Sequence, residues 1–213
     1  MINLFRKLPK DIGVAFSGGI DSSVLLDIVL RQNKNVTILT YDHSTEQSEK
    51  EVLHAIEIKK QYGLPIHIEA SREQPIHGAS KEAFWSKQRN EWFNSLDMNV
   101  VTGHNLNDAA EWYLMTAVIG KGGQYINHSN KNVSRPLLVT PRYDIEQYAN
   151  KNKLNCIIDE SNTDISFAKR NLVRAELLPK VLEVNPGFLS TIKRNIVKRE
   201  REKDLNLLIT QMK

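Results

Sequence analysis

The chain has 213 residues, of which 40% are hydrophobic and 25% charged, and its formal net charge is +4, so it has enough apolar material for a buried core under a well-solvated surface. A single cysteine, Cys156, excludes an internal disulfide and any metal site built from several cysteines. No apolar run approaches the roughly 20 residues of a membrane span, and residues 1–10 lack the apolar segment of a secretory signal, so we expect a cytoplasmic protein, in a cell or in a virus-infected host.

Strand-like apolar runs alternate with segments of helical spacing over the first half of the chain. A helix is expected to open at Asp21, after the first strand. The class predicted is α/β, with a doubly wound parallel sheet and ligands bound beyond the carboxyl ends of its strands. The predicted strands are 12–16, 36–41, 64–69 and 99–103, and the predicted helices are 47–62, 81–96 and 108–119.

The second half of the chain is predicted to be helical after a polar loop. Residues 121–134 are rich in Gly, Asn and Ser and are expected to form a mobile loop. Helices are expected at 145–154 and 168–182, and a charged helix from Phe188 onward. We therefore divide the chain into a catalytic domain, 1–187, and a basic C-terminal helix, 188–213.

Positive charge is concentrated toward the C-terminus. Residues 165–213 contain 11 Lys and Arg against 5 Asp and Glu, whereas residues 1–164 contain 18 and 20. A basic segment on a nearly neutral body suits a polyanionic partner, although a solvated charged helix has the same composition.

The segment from residue 12 to residue 26 carries the clearest chemical signal. Its apolar strand stops at a glycine pair, and an aspartate and two serines then open a helix. Glycines allow backbone N–H groups to approach an anion, the start of a helix adds further donors, and the aspartate can hold Mg²⁺. We interpret the segment as a pyrophosphate site rather than an ordinary turn, formed by Ser17, Gly18, Gly19, Ile20, Asp21 and Ser22.

A second polar segment, 102–111, follows the fourth predicted strand. His104, Asp108 and Glu111 could serve metal ligation, acid–base chemistry or recognition of an amine. Asp108 and Glu111 are three residues apart and can share one helix face. Alternatively, Asn107 or Asp108 caps the helix that follows.

Seven blocks in order resemble the tRNA(Ile)-lysidine synthetase family of the PP-loop, or N-type ATP pyrophosphatase, superfamily. The resemblance covers about residues 11–187, and the last three blocks are the most specific. We therefore expect a short form that lacks the family's C-terminal domains. The blocks are S-G-G-I-D-S at 17–22, D-H at 42–43, the E-x-x-x-[RS]-x-x-R helix at 82–89, T-G-H-N-L-N-D-A-A-E at 102–111, R-P-L-L at 135–138, D-E-S-N at 159–162 and R-N-L-V-R at 170–174.

Two positions depart from the family pattern. Asn107-Asp108 stands where the family has two aspartates, so one carboxylate has become an amide, and Ser86 replaces an arginine of many relatives. The first change bears on lysine selectivity or metal binding more than on ATP binding, because an amide accepts a hydrogen bond without attracting a charge.

The resemblance implies an adenine nucleotide alpha hydrolase-like fold with a helical extension, and ATP and Mg²⁺ as cofactors. It implies adenylation of the wobble cytidine of tRNA(Ile) with a CAU anticodon, then attack by L-lysine. Asp21 would favour the bound metal and Asp108 the lysine amine. The implied catalytic residues are Asp21, Asp108, Arg89 and Arg174, and the implied substrate or tRNA residues are Asn107, Glu111, Arg135 and Arg170. Apart from the resemblance, the basic composition of the last helix predicts phosphate contacts with tRNA by Lys193, Arg194, Lys198 and Arg199.

Other interpretations remain open from the residues alone. Arg170 and Arg174 suit a phosphate or a base, but each arginine could instead pair with Asp159 or Asp164. The ATP site could serve another nucleophile, or the protein could bind tRNA or nucleotide without catalysis. Dimerisation through the last helix would widen the tRNA footprint, although no residue pattern requires it.

Overall fold

A six-stranded, mostly parallel sheet forms the centre of the protein. The computed structural model describes residues 2–32, 34–71, 73, 75, 81–157 and 169–211. The strand order is β3-β2-β1-β4-β6-β5, and every neighbouring pair is parallel except β5 and β6. The predicted doubly wound sheet is confirmed. The strands are β1 (Asp11–Ala15), β2 (Asn35–Asp42), β3 (Ile66–Ala70), β4 (Val100–Val101), β5 (Ser129–Asn130) and β6 (Val133–Ser134).

The helices follow the predicted order with shifts of a few residues at their ends. Between α6 and α7 the chain continues as a π-helical segment, Val173–Leu177, so one helical rod changes its winding midway. None of the described helices is long and apolar enough to cross a membrane. The helices are α1 (Ile20–Arg31), α2 (Glu46–Tyr62), α3 (Lys81–Ser95), α4 (Leu106–Val118), α5 (Arg142–Asn152), α6 (Lys169–Leu172), α7 (Leu178–Val184) and α8 (Phe188–Gln211).

The described residues form three clusters of buried apolar side chains. One cluster joins β1, β2, α1 and α5 through side chains such as Val14, Leu25 and Ile145, none of which is exposed. A second cluster joins α4 to the first half of α8, where Ile192 and Ile196 are buried. The C-terminal end of α8 is exposed, including Leu205, Leu207, Leu208 and Ile209. The division of the chain at residue 188 stays a prediction.

The expectation of a mobile loop at residues 121–134 is wrong for its second half. β5 and β6 form a short hairpin there, and β6 extends the sheet beside β4. Val133 is buried, and the Asn132 amide donates to three backbone carbonyls at the end of α3 and beyond it. The polar composition that suggested a loop thus includes a side chain that fixes the chain by hydrogen bonds.

The order of the strands decides where a ligand can bind. β1 lies between β2 and β4 in the sheet. From β1 the chain adds β2 and β3 on one side, and it later adds β4, β6 and β5 on the other side, so the order of the strands reverses at β1. In a doubly wound sheet the crevice for a ligand lies at such a switch point, outside the carboxyl ends of the strands. The segments that follow β1 and β4 are residues 16–19 and 102–105.

Candidate active site

The phosphate loop, residues 17–22, turns directly from β1 into α1. Gly18 has φ +75°, a left-handed conformation that glycine adopts without a steric cost. Gly19 is the N-cap of α1, and no side chain caps the helix there. The Ser22 hydroxyl donates to Gly19 O at 2.9 Å and also accepts from the Ser17 N–H at 3.4 Å. The loop is therefore held by its own serines, at the start of a 12-residue helix whose first N–H groups can meet an anion.

Gly103 brings the end of β4 against the start of α1. A Cβ atom at Gly103 would lie 3.0 Å from the Asp21 carbonyl carbon and 3.1 Å from the Ser22 nitrogen, which is tighter than most Cβ contacts. A side chain at this position would require the two segments at the switch point to move apart by a few tenths of an ångström. Gly103 lies inside a predicted motif, but the motif gave this glycine no function of its own.

Asn105 links the two segments through hydrogen bonds. Its Oδ1 accepts from the backbone N–H groups of Asn107 and Asp108, and its own N–H donates to Asp108 Oδ2 at 2.8 Å, which is a capping box. The alternative that Asn107 or Asp108 is the N-cap of this helix is wrong, because Asn105 is the N-cap and Asp108 is the third residue of its capping box. The Asn105 Nδ2 group also donates to Asp21 Oδ1 at 2.8 Å, so the cap of α4 fixes an aspartate of the phosphate loop.

Four side chains form an arginine–carboxylate cluster beside the loop: Asp108, Glu111, Arg170 and Arg174. Arg170 donates from Nε to Glu111 Oε2 at 2.8 Å and from Nη2 to Asp108 Oδ1 at 2.6 Å. Arg174 donates from Nε to Glu111 Oε1 at 2.7 Å and from Nη2 to Asp108 Oδ1 at 3.2 Å. The Glu111 side chain is only 2% exposed, whereas the two arginine side chains are 28% and 25% exposed. The carboxylates therefore lie beneath the arginines and hold them at the surface of the site.

The π-helical segment lies within the same structural unit. Arg170 belongs to α6 and Arg174 to the π-helical segment, whereas Leu178, at the start of α7, is buried against α4 and α8. Single π-helical turns are rare and are frequent at functional sites. One helical rod thus carries the two arginines at its N-terminal end and anchors itself in the core farther along.

Burial and nearby arginines lower the pKa values of two histidines, His104 and His43. Burial, assisted by Arg135, Arg170 and Arg89, lowers the pKa of His104 well below its usual value. Burial and the charge of Arg89 lower the pKa of His43 to about 4. Both imidazoles are therefore neutral at pH 7. His104 Nδ1 lies 2.9 Å from Thr102 Oγ1, which fixes the orientation of its ring.

Arg135 has contacts that the sequence did not predict. Its Nη1 donates to Asn127 O at 3.0 Å, and its Nε is buried without a hydrogen-bond partner among the described residues. Burial lowers the pKa of this guanidinium. The residues 159–164, which contain the alternative partners of the arginines and the D-E-S-N block, lie outside the described residues.

Asp21 fits the role of a magnesium ligand. Burial, followed by the negative charge of Asp108, raises the pKa of Asp21, and Asn105 donates hydrogen bonds to both of these carboxylates. The described residues contain no group of three or more His, Cys, Asp or Glu suited to a metal ion. Mg²⁺ does not require such a cage, since it binds one or two carboxylates together with substrate phosphates. A carboxylate in the first turn of α1 beside a second carboxylate meets that requirement.

The basic residues of α8 lie on two faces of the helix. Lys193, Arg194, Lys198 and Arg201 lie along one exposed face of α8. Arg199 points elsewhere, with its guanidinium carbon 5.2 Å from the centre of the Tyr125 ring. The predicted set of Lys193, Arg194, Lys198 and Arg199 is thus divided, and Arg201 lies on the first face in place of Arg199.

Comparison with known proteins identifies the family. Residues 2–181 match the PP-loop domain. The chain belongs to the PP-loop family. It is 34% identical over 202 residues to a tRNA(Ile)-lysidine synthase of Francisella philomiragia, with 88% of this chain and 50% of the relative covered. It is 32% identical over 199 residues to a tRNA(Ile)-lysidine synthase of Thermosipho africanus, with 85% and 46% covered.

These matches confirm the resemblance drawn from the motif blocks. The chain spans about half the length of the curated relatives it matches. Among solved structures, an NH3-dependent NAD synthetase of Campylobacter jejuni is similar, with a TM-score of 0.46, 15% identity, and 91% of this chain and 86% of that chain covered. The strand order of the sheet itself, rather than this distant likeness, defines the fold.

Proposed function

We propose that this protein modifies tRNA(Ile) with a CAU anticodon by adenylating its wobble cytidine and then adding lysine. The observation that carries the proposal is the junction at Asn105, where the phosphate loop meets the arginine–carboxylate cluster. An ATP site and a cluster of fixed arginines and carboxylates then border the same crevice. The names of the relatives supply the substrate class.

In the first step, the cytosine carbonyl oxygen attacks the α-phosphate of ATP, the bond to the β-phosphate breaks, and pyrophosphate leaves. The N–H groups and hydroxyls of residues 17–22 would bind the departing pyrophosphate, and Asp21 would hold Mg²⁺, which neutralises phosphate charge. Arg170 and Arg174 would bind the adenylated base or the AMP phosphate, since a planar guanidinium donates several hydrogen bonds to an anion. Arg89 is proposed to act beside them.

In the second step, the lysine ε-amine attacks the activated ring carbon, AMP leaves, and the amine loses its proton. Asp108 is the proposed ligand of the amine. A carboxylate has about four acceptor positions, and described residues already donate to Asp108 from Arg170, Arg174 and the Asn105 backbone. An ammonium group would take the remaining position on Oδ2. Glu111 would keep the arginines in place during this step.

Binding of tRNA is proposed to use the basic face of α8. Lys193, Arg194, Lys198 and Arg201 would contact phosphates of the tRNA, which acts as substrate in the cytoplasm. Such contacts release counterions, so affinity for tRNA should fall steeply as salt rises. The anticodon bases would be bound in the crevice, because single-stranded bases can leave their stack.

The proposal is tested by mass spectrometry of nucleosides from unmodified tRNA(Ile). The tRNA is incubated with the protein, Mg-ATP and isotopically labelled lysine. A cytidine that gains one labelled lysine, with release of AMP, is the expected product. Release of pyrophosphate that depends on tRNA but yields no lysine adduct would point to another nucleophile. Binding of tRNA without either product would favour a binding protein.

Two variants separate the steps. Asp21→Ala should abolish release of pyrophosphate, and near-normal turnover would contradict the assignment of Asp21. Asp108→Ala should block lysine transfer more than adenylation, measured as the ratio of lysine adduct to pyrophosphate. Because Asp108 also holds two partly buried arginines, the folded fraction of that variant is checked by thermal unfolding. Lysine transfer at an unchanged rate would place the amine site elsewhere.

A further inference from the structure

Arg142, the first residue of α5, brings a positive charge to the phosphate loop from a distant part of the chain. Its Nη1 lies 3.9 Å from Asp21 Oδ2. We propose that Arg142 contacts the pyrophosphate portion of ATP and that Asn107 positions it for this contact. The inference rests on the ATP-dependent function proposed above and adds two roles to it.

The backbone of Arg142 is fixed by a residue of another helix. The first N–H groups of a helix have no partner within the helix, and a side chain at the N-cap usually accepts from one of them. The N-cap of α5 is Pro141, which makes no such hydrogen bond. Asn107 Oδ1, in the first turn of α4, accepts the Arg142 N–H at 3.0 Å instead. The Asn107 side chain, which belongs to α4, therefore caps the N-terminus of α5.

A second hydrogen bond strengthens the same junction. The Leu106 N–H donates to Thr140 O at 2.9 Å, one residue before Pro141. The first turns of α4 and α5 are thus joined by two hydrogen bonds, and Asn105 joins the first turn of α4 to Asp21. Displacement of Arg142 relative to the phosphate loop would require breaking this junction.

In the Arg142 side chain, Nε is held by a hydrogen bond, and the terminal Nη1 group faces the phosphate loop. Its Nε donates to Glu146 Oε1 at 3.0 Å, one helical turn later. The Nη1 group faces Asp21 at a distance longer than a hydrogen bond, and the two side chains are 36% and 26% exposed. A pair this open and loosely joined can admit a phosphate, for which guanidinium is a suitable ligand.

The hydrogen bond to Arg142 explains why asparagine suits position 107. An amide oxygen accepts the Arg142 N–H as a carboxylate oxygen would, but it adds no negative charge near Asp21 and Asp108. The change from the family's aspartate thus preserves the positioning of Arg142. Asn107 is a positioning residue in this account, since its contact to the site runs through Arg142.

Equilibrium binding of pyrophosphate and of AMP, measured by titration calorimetry with Mg²⁺ present, tests the inference on the full chain. Arg142→Ala should weaken pyrophosphate binding by about tenfold or more, the usual effect of losing a hydrogen bond to a charged group. AMP binding should change less than about twofold. Arg142→Lys should restore part of the loss, since it keeps the charge without the planar fork.

Asn107 variants test the positioning role. Asn107→Ala should weaken pyrophosphate binding in the same direction, whereas Asn107→Asp, which keeps the acceptor but adds a negative charge, should weaken it less. The double variant Asn107→Ala with Arg142→Ala should bind pyrophosphate no worse than Arg142→Ala alone. Additive losses would contradict action through Arg142.

Arg31→Ala is the matched control. Arg31 joins the same two helices at their other ends, through Asp27 of α1 and Asn152 of α5. It should lower thermal stability about as much as Arg142→Ala and leave pyrophosphate binding unchanged. The inference would be overturned if Arg142→Ala bound pyrophosphate as tightly as the wild type, or if the wild-type protein did not bind pyrophosphate. Weakened pyrophosphate binding without any product on tRNA would overturn the proposed function instead and leave the role of Arg142 standing.

Discussion

The phosphate loop and the arginine–carboxylate cluster border one crevice but are built in opposite ways. The loop is contiguous in sequence, and its shape comes from glycine conformations and short serine hydrogen bonds. The cluster joins residues 59 to 66 positions apart through charged side chains. The folding stability of a site built from backbone should change little when one side chain is removed. The stability of a partly buried ionic site should fall when any one of its charged side chains is removed. The following variants test that contrast in order of expected effect.

Glu111→Ala should cause the largest loss of stability. The Glu111 carboxylate is almost fully buried and contacts both arginines, so its removal takes away one of the two carboxylates that offset these partly buried positive charges. Breaking a buried ion pair costs about 3–5 kcal/mol of unfolding free energy. Urea denaturation measures the loss. Glu183→Ala, which breaks an exposed pair with Lys180 on α7, should cost about 1 kcal/mol or less. Similar losses for both variants would contradict the contrast.

Gly18→Ala should cause the next largest loss, on the side of the loop. A non-glycine residue at φ +75° is strained by about 1–2 kcal/mol. The added Cβ would also lie 2.8 Å from both His54 Cδ2 and Ile157 Cδ1, so the expected total is about 2 kcal/mol or more. Gly19→Ala is the control, because its φ is −66° and the nearest atom to a Cβ is 3.6 Å away. Its unfolding free energy should change by about 0.5 kcal/mol at most.

Asn105→Ala tests the connection between the two regions. Loss of the N-cap of α4 should cost about 1–2 kcal/mol of stability. Because the same amide donates to Asp21, ATP affinity should fall as well. Thr45→Ala removes the N-cap of α2, which has a capping box of the same kind. It should lower stability similarly without changing ATP affinity. Equal effects of the two variants on ATP affinity would show that the cap acts through stability alone.

The smallest expected effect is a dependence of stability on pH from His43. Its pKa is lowered to about 4 by burial and by Arg89, whereas the unfolded chain has the ordinary value of 6.5. Below pH 6.5 the unfolded chain binds a proton that the folded protein does not, so stability is present above that pH and decreases as pH falls toward 4. The loss attributable to His43 is about 1 kcal/mol between pH 7.5 and 5.5.

Urea denaturation of His43→Gln at the two pH values checks this effect. The variant should lack that part of the decrease, since glutamine does not titrate. An identical pH dependence in the wild type and the variant would mean that His43 titrates normally in the fold.

The sequence predicted the local parts of this protein better than its distant contacts. β1, the phosphate loop and α1 follow one another without interruption, so glycine conformation and helical spacing sufficed to predict them. The pairing of Arg170 and Arg174 with Asp108 and Glu111 was not predicted, since spacing along the chain does not reveal which helices pack together. The polar segment at 121–134 misled for a similar reason, because Asn132 finds its partners beyond α3.

At residues 105–108 the sequence could not show which side chain caps α4. Asn105, Asn107 and Asp108 are all suitable caps, and residue type alone does not choose among them. In the fold the three side chains have separate roles, because Asn105 caps α4, Asn107 accepts from Arg142 of α5, and Asp108 holds the arginines. The capping box, with Asp108 three residues after Asn105, was the available signal.

The π-helical segment makes the site sensitive to the length of the chain as well as to its composition. Each residue turns an α-helix by about 100°. Deleting one residue within 173–177 would let the rod close into a regular α-helix, with Leu178 still anchored in the core. Because a π-helical turn accommodates one extra residue, Arg170 would keep its place beside Asp108, whereas deletion of a second residue would turn it about the helix axis by about 100°. A two-codon deletion would thus dismantle the site while leaving every charged side chain of the cluster in the gene.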